Sequence, residues 1–279
     1  MNVEELLNRY AAGERNFHEV TLTGADLSGT DLRGISLKRA NLSQSNLRGA
    51  DLSSANLREV VLTGADLSHA TMVEINLIGS DLSQANLHEA DLTNAGLRGA
   101  KLVGANLTGS NLPGSNLGEA NLSQADFTEA NLSHASLYRT KLIGTDLTRA
   151  ILEGANLSNA ILSSATLEGA ILVDASLHGA NLEEADLREA DLHRACFIGA
   201  SLINATIGRA NARGTNFSWA SLRGANLRRT NLYRASLSWA NLSEADLSEA
   251  VLISANINQV NLHHADLTGA IMPSGVTHE

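Results

Sequence analysis

The chain has 279 residues, of which 43% are hydrophobic, 18% charged and 3% aromatic, with one cysteine and a formal net charge of −10. This composition excludes a disordered polar chain, a small disulfide-stapled domain, and a general electrostatic attraction to nucleic acid or to an anionic membrane. The first residues do not resemble a secretory signal, and no apolar run is long enough to span a bilayer, so we expect a cytoplasmic protein without membrane contact.

The first predicted element is an amphipathic helix within residues 2–13. Asn2 and Glu5 have the spacing of a capping box, and Gly13 can end the helix. The apolar residues recur at the spacing of one helix face: Val3, Leu6, Leu7 and Tyr10. We assign residues 1–14 to a cap that covers the first turn of the structure that follows, and the alternative is a helix that binds a partner.

The second predicted element, residues 15–272, has a period of five residues. From Phe17 to Met272 the register holds at 52 positions without a slip, and 43 of these positions, which we call centres, are leucine. Two residues before the centre, 37 of 52 residues are alanine. This period fits neither a helix nor a flat strand, and one unit is too short to bury its own leucine. The units must therefore stack as a solenoid around a shared core of leucine and alanine.

Individual units resemble the A(D/N)LXX pattern of the pentapeptide-repeat family. Examples are ADLSG at 25–29, ANLSQ at 40–44 and ADLTG at 265–269. The resemblance implies an all-β fold, a right-handed quadrilateral parallel β-helix with four units per coil. At four units per coil, the 52 units give about 13 coils. The resemblance also implies a protein that acts by binding other proteins.

The last predicted element is a short tail, residues 273–279, where Pro273 and Gly275 break the register. We expect this tail to cover the last coil less well than the helix covers the first. Because an open β edge favours association, we expect a monomer or a weak end-to-end dimer.

The two ends carry a narrower resemblance. RYAAGERNF at 9–17 and GAIMPSG at 269–275 are similar to cyanobacterial members of the family, in particular to a regulator of heterocyst differentiation. This resemblance implies a partner that is a transcription regulator.

Catalytic and metal-binding chemistry find little support in the sequence. The aspartates and asparagines before the centres are too uniform to mark a site, and we expect them to bind turn backbone. His69, His88 and Glu89 could meet on the surface, but unrelated solvent-exposed side chains are the simpler interpretation, and we assign no metal and no cofactor. Cys196 precedes a centre and is interpreted as a structural thiol. We therefore expect no enzyme activity.

The least uniform part of the repeats is residues 193–243, which contain no aspartate or glutamate. Arginine and aromatic residues concentrate there, and both types are favoured at the centre of protein interfaces. We predict a partner-binding surface, against the alternatives of accidental clustering on a solvated face and of nucleic-acid binding, which the overall charge opposes. The candidate residues are Arg194, Arg209, Arg213, Trp219, Arg223, Arg228, Arg229, Tyr233, Arg234 and Trp239.

The sequence thus favours a non-catalytic protein-binding scaffold or regulator that modulates a transcription regulator in cyanobacterial heterocyst differentiation. The alternative is a DNA-mimic modulator of a type II topoisomerase, gyrase, because outward acidic residues concentrate on two of the four expected sides.

Overall fold

In the computed structural model, residues 1–278 are described, and they begin with one helix, α1, Val3–Ala11. The Asn2 side chain caps α1 by accepting a hydrogen bond from the Glu5 N–H at 2.8 Å. Leu6 is fully buried, and the Tyr10 hydroxyl donates to the Arg33 carbonyl at 2.9 Å. The predicted amphipathic helix is confirmed, and its tyrosine is bonded to backbone in the repeats that follow. No helix among the described residues has the length and apolar character needed to cross a membrane.

The repeats pair through isolated parallel β-bridges, and the described residues form no continuous strand. Within residues 16–141 and again within residues 146–271, residues that precede a centre bridge to their equivalents twenty residues later, as in Asn16 to Ser36 and Ser36 to Asn56. The Phe17 N–H donates to the Ser36 carbonyl at 2.7 Å, and the Ser36 N–H donates to the Arg15 carbonyl at 2.7 Å. A pentapeptide therefore pairs with the pentapeptide four places along the chain, which is the step that the family resemblance implies.

A tight turn follows each centre and explains the polar residues found there. In the unit at Leu22, the Ala25 N–H donates to the Leu22 carbonyl at 3.1 Å, and Gly24 has φ +66. Glycine takes this left-handed conformation without steric cost, whereas other residues are strained in it. An aspartate or asparagine before the centre often supports the turn, as where Asp26 Oδ1 accepts from the Ser28 N–H at 3.1 Å. The expected turn-bonding role of these residues is confirmed.

The chain forms two compact units, Met1–Lys141 and Leu142–Glu279, and the same columns are buried in each. In the first unit Leu132 and Ala135 are buried, and in the second Leu187 and Ala190 are buried. The predicted inward columns of leucine and alanine are therefore confirmed.

Phenylalanines replace leucine at a few centres without leaving the core. Phe197 and Phe217 are fully buried and stack with ring centroids 5.0 Å apart. The neighbouring centre is the small Ala212, which is also fully buried. Phe217 is thus the centre that directly follows the smallest centre of the array in the sequence.

The C-terminal segment folds back on the repeats. Ile271 forms an antiparallel bridge with Thr277, and the Met272 N–H donates to the Val276 carbonyl at 2.8 Å. The centres of the last repeats are only half-buried, unlike those before them: Ile257, Leu262, Leu267 and Met272. The prediction of a less covered C-terminal end is confirmed, although the tail itself is hydrogen-bonded.

Candidate functional site

The two tryptophans form an exposed stack in the second unit. Trp219 and Trp239 lie two residues after successive centres of one column, and their rings are parallel within 1° with centroids 5.0 Å apart. Both rings are largely exposed, at 62% and 52%. Each residue has a left-handed backbone, with φ +63 and +61, so both side chains leave the same corner of the turn. The two rings, twenty residues apart in the sequence, therefore lie in contact on the surface.

A second cluster joins two arginines to one tyrosine. The guanidinium carbon of Arg213 lies 5.3 Å from the Tyr233 ring centroid, and that of Arg234 lies 5.0 Å from it. Both arginines are exposed and have no ion pair among the described residues. Each guanidinium is therefore attracted to the Tyr233 ring and keeps its full positive charge at the surface.

The other candidate arginines pair with acids from outside the stretch 193–243. The pairing is possible because residues about twenty apart lie side by side in this fold. The pairs are Arg194 with Asp174, Arg209 with Glu189, Arg223 with Glu244, and both Arg228 and Arg229 with Glu249. Residues 193–243 contain no aspartate or glutamate, but acidic side chains from neighbouring repeats lie beside their arginines. The surface is therefore not purely basic.

Glu249 is held by two guanidinium groups at once. Arg229 Nε donates to Glu249 Oε2 and Arg228 Nη2 donates to Oε1, both at 2.7 Å. These two bonds lower the pKa of Glu249 to about 2, and they raise the pKa of Arg228. The carboxylate stays ionised at any physiological pH and fixes the position of both arginines.

A pocket of about 300 Å³ lies in the second unit and is lined in part by Arg228 and Arg229. Gly208 lines it, and four arginines surround it: Arg188, Arg209, Arg228 and Arg229. Arg188 and Gly208 were not among the residues predicted from the sequence. The sequence contains a pattern that could have identified both residues. Glycine directly follows a centre only at Gly118 and Gly208, and arginines stand twenty residues before and after Gly208.

The candidate residues therefore form separate groups rather than one patch. No described contact joins the tryptophan stack to any arginine, and the tryptophans do not line the pocket. Residues 208–214 and 228–234, which hold Tyr233 and all candidate arginines except Arg194 and Arg223, are paired directly by the bridges from Thr206 to Asn226 and from Asn211 to Asn231.

The histidine cluster considered for a metal is present as a set of contacts. His69 Nδ1 lies 3.2 Å from Glu89 Oε2, and His88 Nε2 lies 3.5 Å from Glu89 Oε1. Within residues 1–278, no group of three or more histidine, cysteine, aspartate or glutamate side chains has the arrangement of a metal site. Cys196 is half-buried and forms no disulfide.

Comparison with known families identifies the repeats. The family model described as pentapeptide repeats matches in eight overlapping copies that run from residue 16 to residue 272. The chain belongs to the pentapeptide-repeat family. Membership implies a right-handed β-helix, which agrees with the parallel pairing at a twenty-residue step.

Three solved structures are similar to this chain. HetL from the cyanobacterium Nostoc sp. strain PCC 7120, a pentapeptide-repeat protein involved in heterocyst differentiation regulation, is 34% identical over 100% of both chains, with a TM-score of 0.32. Rfr23 from the cyanobacterium Cyanothece 51142 is 28% identical over 45% of this chain and 93% of its own, with a TM-score of 0.24. QnrB1, a plasmid-mediated fluoroquinolone resistance protein, is 15% identical over 89% of this chain and 90% of its own, with a TM-score of 0.31.

Because all three TM-scores are low, the family assignment rests on the repeat matches. No curated protein sequence matches the chain significantly.

Proposed function

We propose that this protein is a non-catalytic scaffold or regulator that acts in the cytoplasm by binding a protein partner through its second unit. The binding surface, which we name the basic face, consists of Arg209, Arg213, Arg228, Arg229, Tyr233 and Arg234. The exposed stack of Trp219 and Trp239 supplies a second contact that lies apart from the basic face.

The observation that carries the proposal is the cluster of Arg213, Tyr233 and Arg234. Two guanidinium groups stand against one half-buried ring, and neither has an acid partner among the described residues. An acidic partner would satisfy these donors by charge-assisted hydrogen bonds and would cover the ring at the same time. Arginine and tyrosine are the residue types that most often carry binding energy in protein interfaces.

The kind of partner follows from the sequence resemblance of the two ends. Residues 9–17 and 269–275 resemble a regulator of heterocyst differentiation, and we propose that the partner is a transcription regulator that presents an acidic surface. Direct binding of nucleic acid is disfavoured by the net charge of −10.

The test begins with capture of proteins from a cyanobacterial lysate and their identification by mass spectrometry. The purified candidate is then titrated against the wild type, Arg213→Glu and Arg234→Glu. We expect each charge reversal to weaken binding by about tenfold or more, since hot-spot residues contribute upward of about 1.4 kcal/mol. These two arginines test the proposal better than Arg229, whose reversal would place a second carboxylate beside that of Glu249.

A matched control is available in the first unit. Arg139 lies 5.0 Å from the centroid of the Tyr138 ring, in the same pentapeptide positions as Arg234 and Tyr233. Arg139→Glu should leave partner binding unchanged. Equal binding by all variants, or an equal loss in the control, would contradict the basic face.

The alternative is a DNA-mimic modulator of gyrase. One of the acidic residues that would serve it, Asp66, is engaged locally, because its Oδ1 accepts hydrogen bonds from the Ser68 N–H and from Asn86 Nδ2, each at 3.0 Å. A supercoiling assay separates the two functions. Asp126, like Asp66, directly precedes a centre on one of the two acidic sides expected from the sequence. Inhibition that is lost in Asp66→Asn and Asp126→Asn, but kept in Arg213→Glu, would favour the alternative.

A further inference from the structure

We propose that the pocket beside Gly208 binds the phosphate group of a phosphate monoester. The proposal concerns the phosphate group, whichever molecule carries it, and does not depend on the partner proposed above, although three of the pocket arginines also belong to the basic face.

The first argument is that glycine is not required at position 208 by the backbone. Gly208 does not have a left-handed φ, unlike the glycines two residues after a centre. A Cβ atom at this position would lie 3.5 Å from the Arg228 carbonyl oxygen, which is ordinary van der Waals contact. The equivalent residues twenty before and after it are Arg188 and Arg228. The effect of glycine is therefore to leave space between two arginines.

The second argument is that the guanidinium groups around this space retain free donors. Arg228 and Arg229 each use one nitrogen on Glu249, and Arg209 makes a single 3.4 Å contact with Glu189. Each guanidinium has five N–H donors in a planar fork, so most donors remain for a ligand. Arg188 uses Nε and Nη2 on Asp186 and Nη2 on Glu168. The pocket lining contains four arginines and two glutamates, Glu168 and Glu189, and these arginines are also bonded by Asp186 and Glu249, so the site is rich in donors while its charges balance.

The third argument is that the pocket also offers neutral donors. Thr206 and Asn226 line it beside Gly208. Asn226 Oδ1 accepts from the Arg228 N–H at 3.0 Å, which fixes the amide and leaves its NH₂ group as a donor. A ligand with several acceptor oxygens can therefore bind arginine forks and neutral donors together.

A phosphate monoester matches this set of donors better than a carboxylate does. Its three terminal oxygens accept bonds from several guanidinium groups at once, and it carries nearly two negative charges at neutral pH. A carboxylate has one charge and two oxygens, and the protein already supplies such groups at the rim through Glu168 and Glu189. The monoester could be a free small molecule or a phosphorylated side chain, since both present the same group.

The test is isothermal titration of the full chain at constant ionic strength with inorganic phosphate, AMP, an N-acetyl phosphoserine amide, and acetate. We expect saturable binding of the phosphate probes and at least about tenfold weaker binding of acetate. Tighter binding of AMP than of the phosphoserine amide would identify a free small molecule as the source, and the reverse order would identify a modified side chain. Acetate binding as tight as phosphate binding, or no saturable phosphate binding, would overturn the proposal.

Variants locate the binding in the pocket. Gly208→Gln fills the space, and Arg228→Gln removes one guanidinium while Arg229 still holds Glu249. Each should weaken phosphate binding about tenfold with an unchanged melting temperature. The control Ser238→Gln, at the same pentapeptide position in another column, should have no effect. Undiminished binding in both pocket variants would overturn the site, whereas loss of partner binding alone would leave it intact.

Discussion

Serine and threonine replace alanine at several buried positions of the repeats, and their hydroxyl groups differ in how they are bonded. Ser110 Oγ donates to the Leu107 carbonyl at 2.6 Å, five residues before Ser115, whose Oγ is buried without a hydrogen-bond partner. Both residues are almost completely buried. The same substitution should therefore have opposite effects at the two positions.

We expect Ser110→Ala to lower the free energy of unfolding by about 1 kcal/mol, because a satisfied hydrogen bond is removed. Ser115→Ala should leave it unchanged or raise it by up to about 1 kcal/mol, because the desolvation cost of an unpaired hydroxyl disappears. Urea unfolding of the two variants and the wild type measures the difference. A greater loss in Ser115→Ala than in Ser110→Ala would show that the hydroxyl of Ser115 is bonded.

The phenylalanine centres provide a second comparison of single residues. Phe217 stacks on Phe197 and follows the small centre Ala212, whereas Phe127 is buried with no ring partner among the described contacts. Phe217→Leu should therefore destabilise the protein more than Phe127→Leu, by about 0.5–1.5 kcal/mol for the lost ring pair. Thermal or urea unfolding of both variants tests this order, and a reversed order would exclude a special role for Phe217.

At the scale of elements, α1 is the one helix of the described chain, and it buries Leu6 and bonds Tyr10 to the backbone at Arg33. Its loss would expose the first centres of the array. We expect Leu6→Ser combined with Tyr10→Ser to lower the melting temperature and to promote association. Calorimetry and light scattering measure both effects.

The control for the helix is Asn8→Ser, at an exposed position of α1. It should leave the melting temperature and the monomer mass nearly unchanged. If deletion of residues 1–13 also left both unchanged, the capping function of the helix would be refuted.

At the scale of the whole molecule, ionised carboxylates recur as turn acceptors and as partners of arginine. The bonds from Arg33 lower the pKa of Asp31 to about 2, and those from Arg229 and Arg228 lower the pKa of Glu249 to about 2. A carboxylate whose pKa is lowered by folding stabilises the protein above its unfolded pKa, and this contribution disappears as the pH falls through the folded pKa.

The melting temperature should therefore fall between about pH 4.5 and pH 2, from the ordinary glutamate pKa to the lowered one. Asp31→Asn and Glu249→Gln should make this fall shallower, whereas Glu74→Gln, at an exposed residue without an ion pair among the described residues, should not. Calorimetry across this range measures the slope. A melting temperature constant down to pH 3 would contradict the stabilising role of these pairs.

Most of the fold follows from the sequence because the repeat is local. The buried columns of leucine and alanine, the turn residues and the helix cap each depend on spacing within a few residues, and each was predicted. The four-sided cross-section and the count of about 13 coils remain predictions from family resemblance. The candidate site was predicted only as a composition, because the sequence does not show which outward side chains meet.

The amino-acid sequence by itself determined the five-residue register, the inward columns and the family. It also spaces Trp219 and Trp239 twenty residues apart, which brings the two rings together once the twenty-residue pairing step is known. Only the tertiary structure decided which arginines are paired, since backbone pairing brings acids from about twenty residues away beside Arg194, Arg209 and Arg229. It also decided that the absent side chain of Gly208 leaves a pocket among arginines, because such a space depends on how long, flexible side chains on neighbouring coils turn toward their partners.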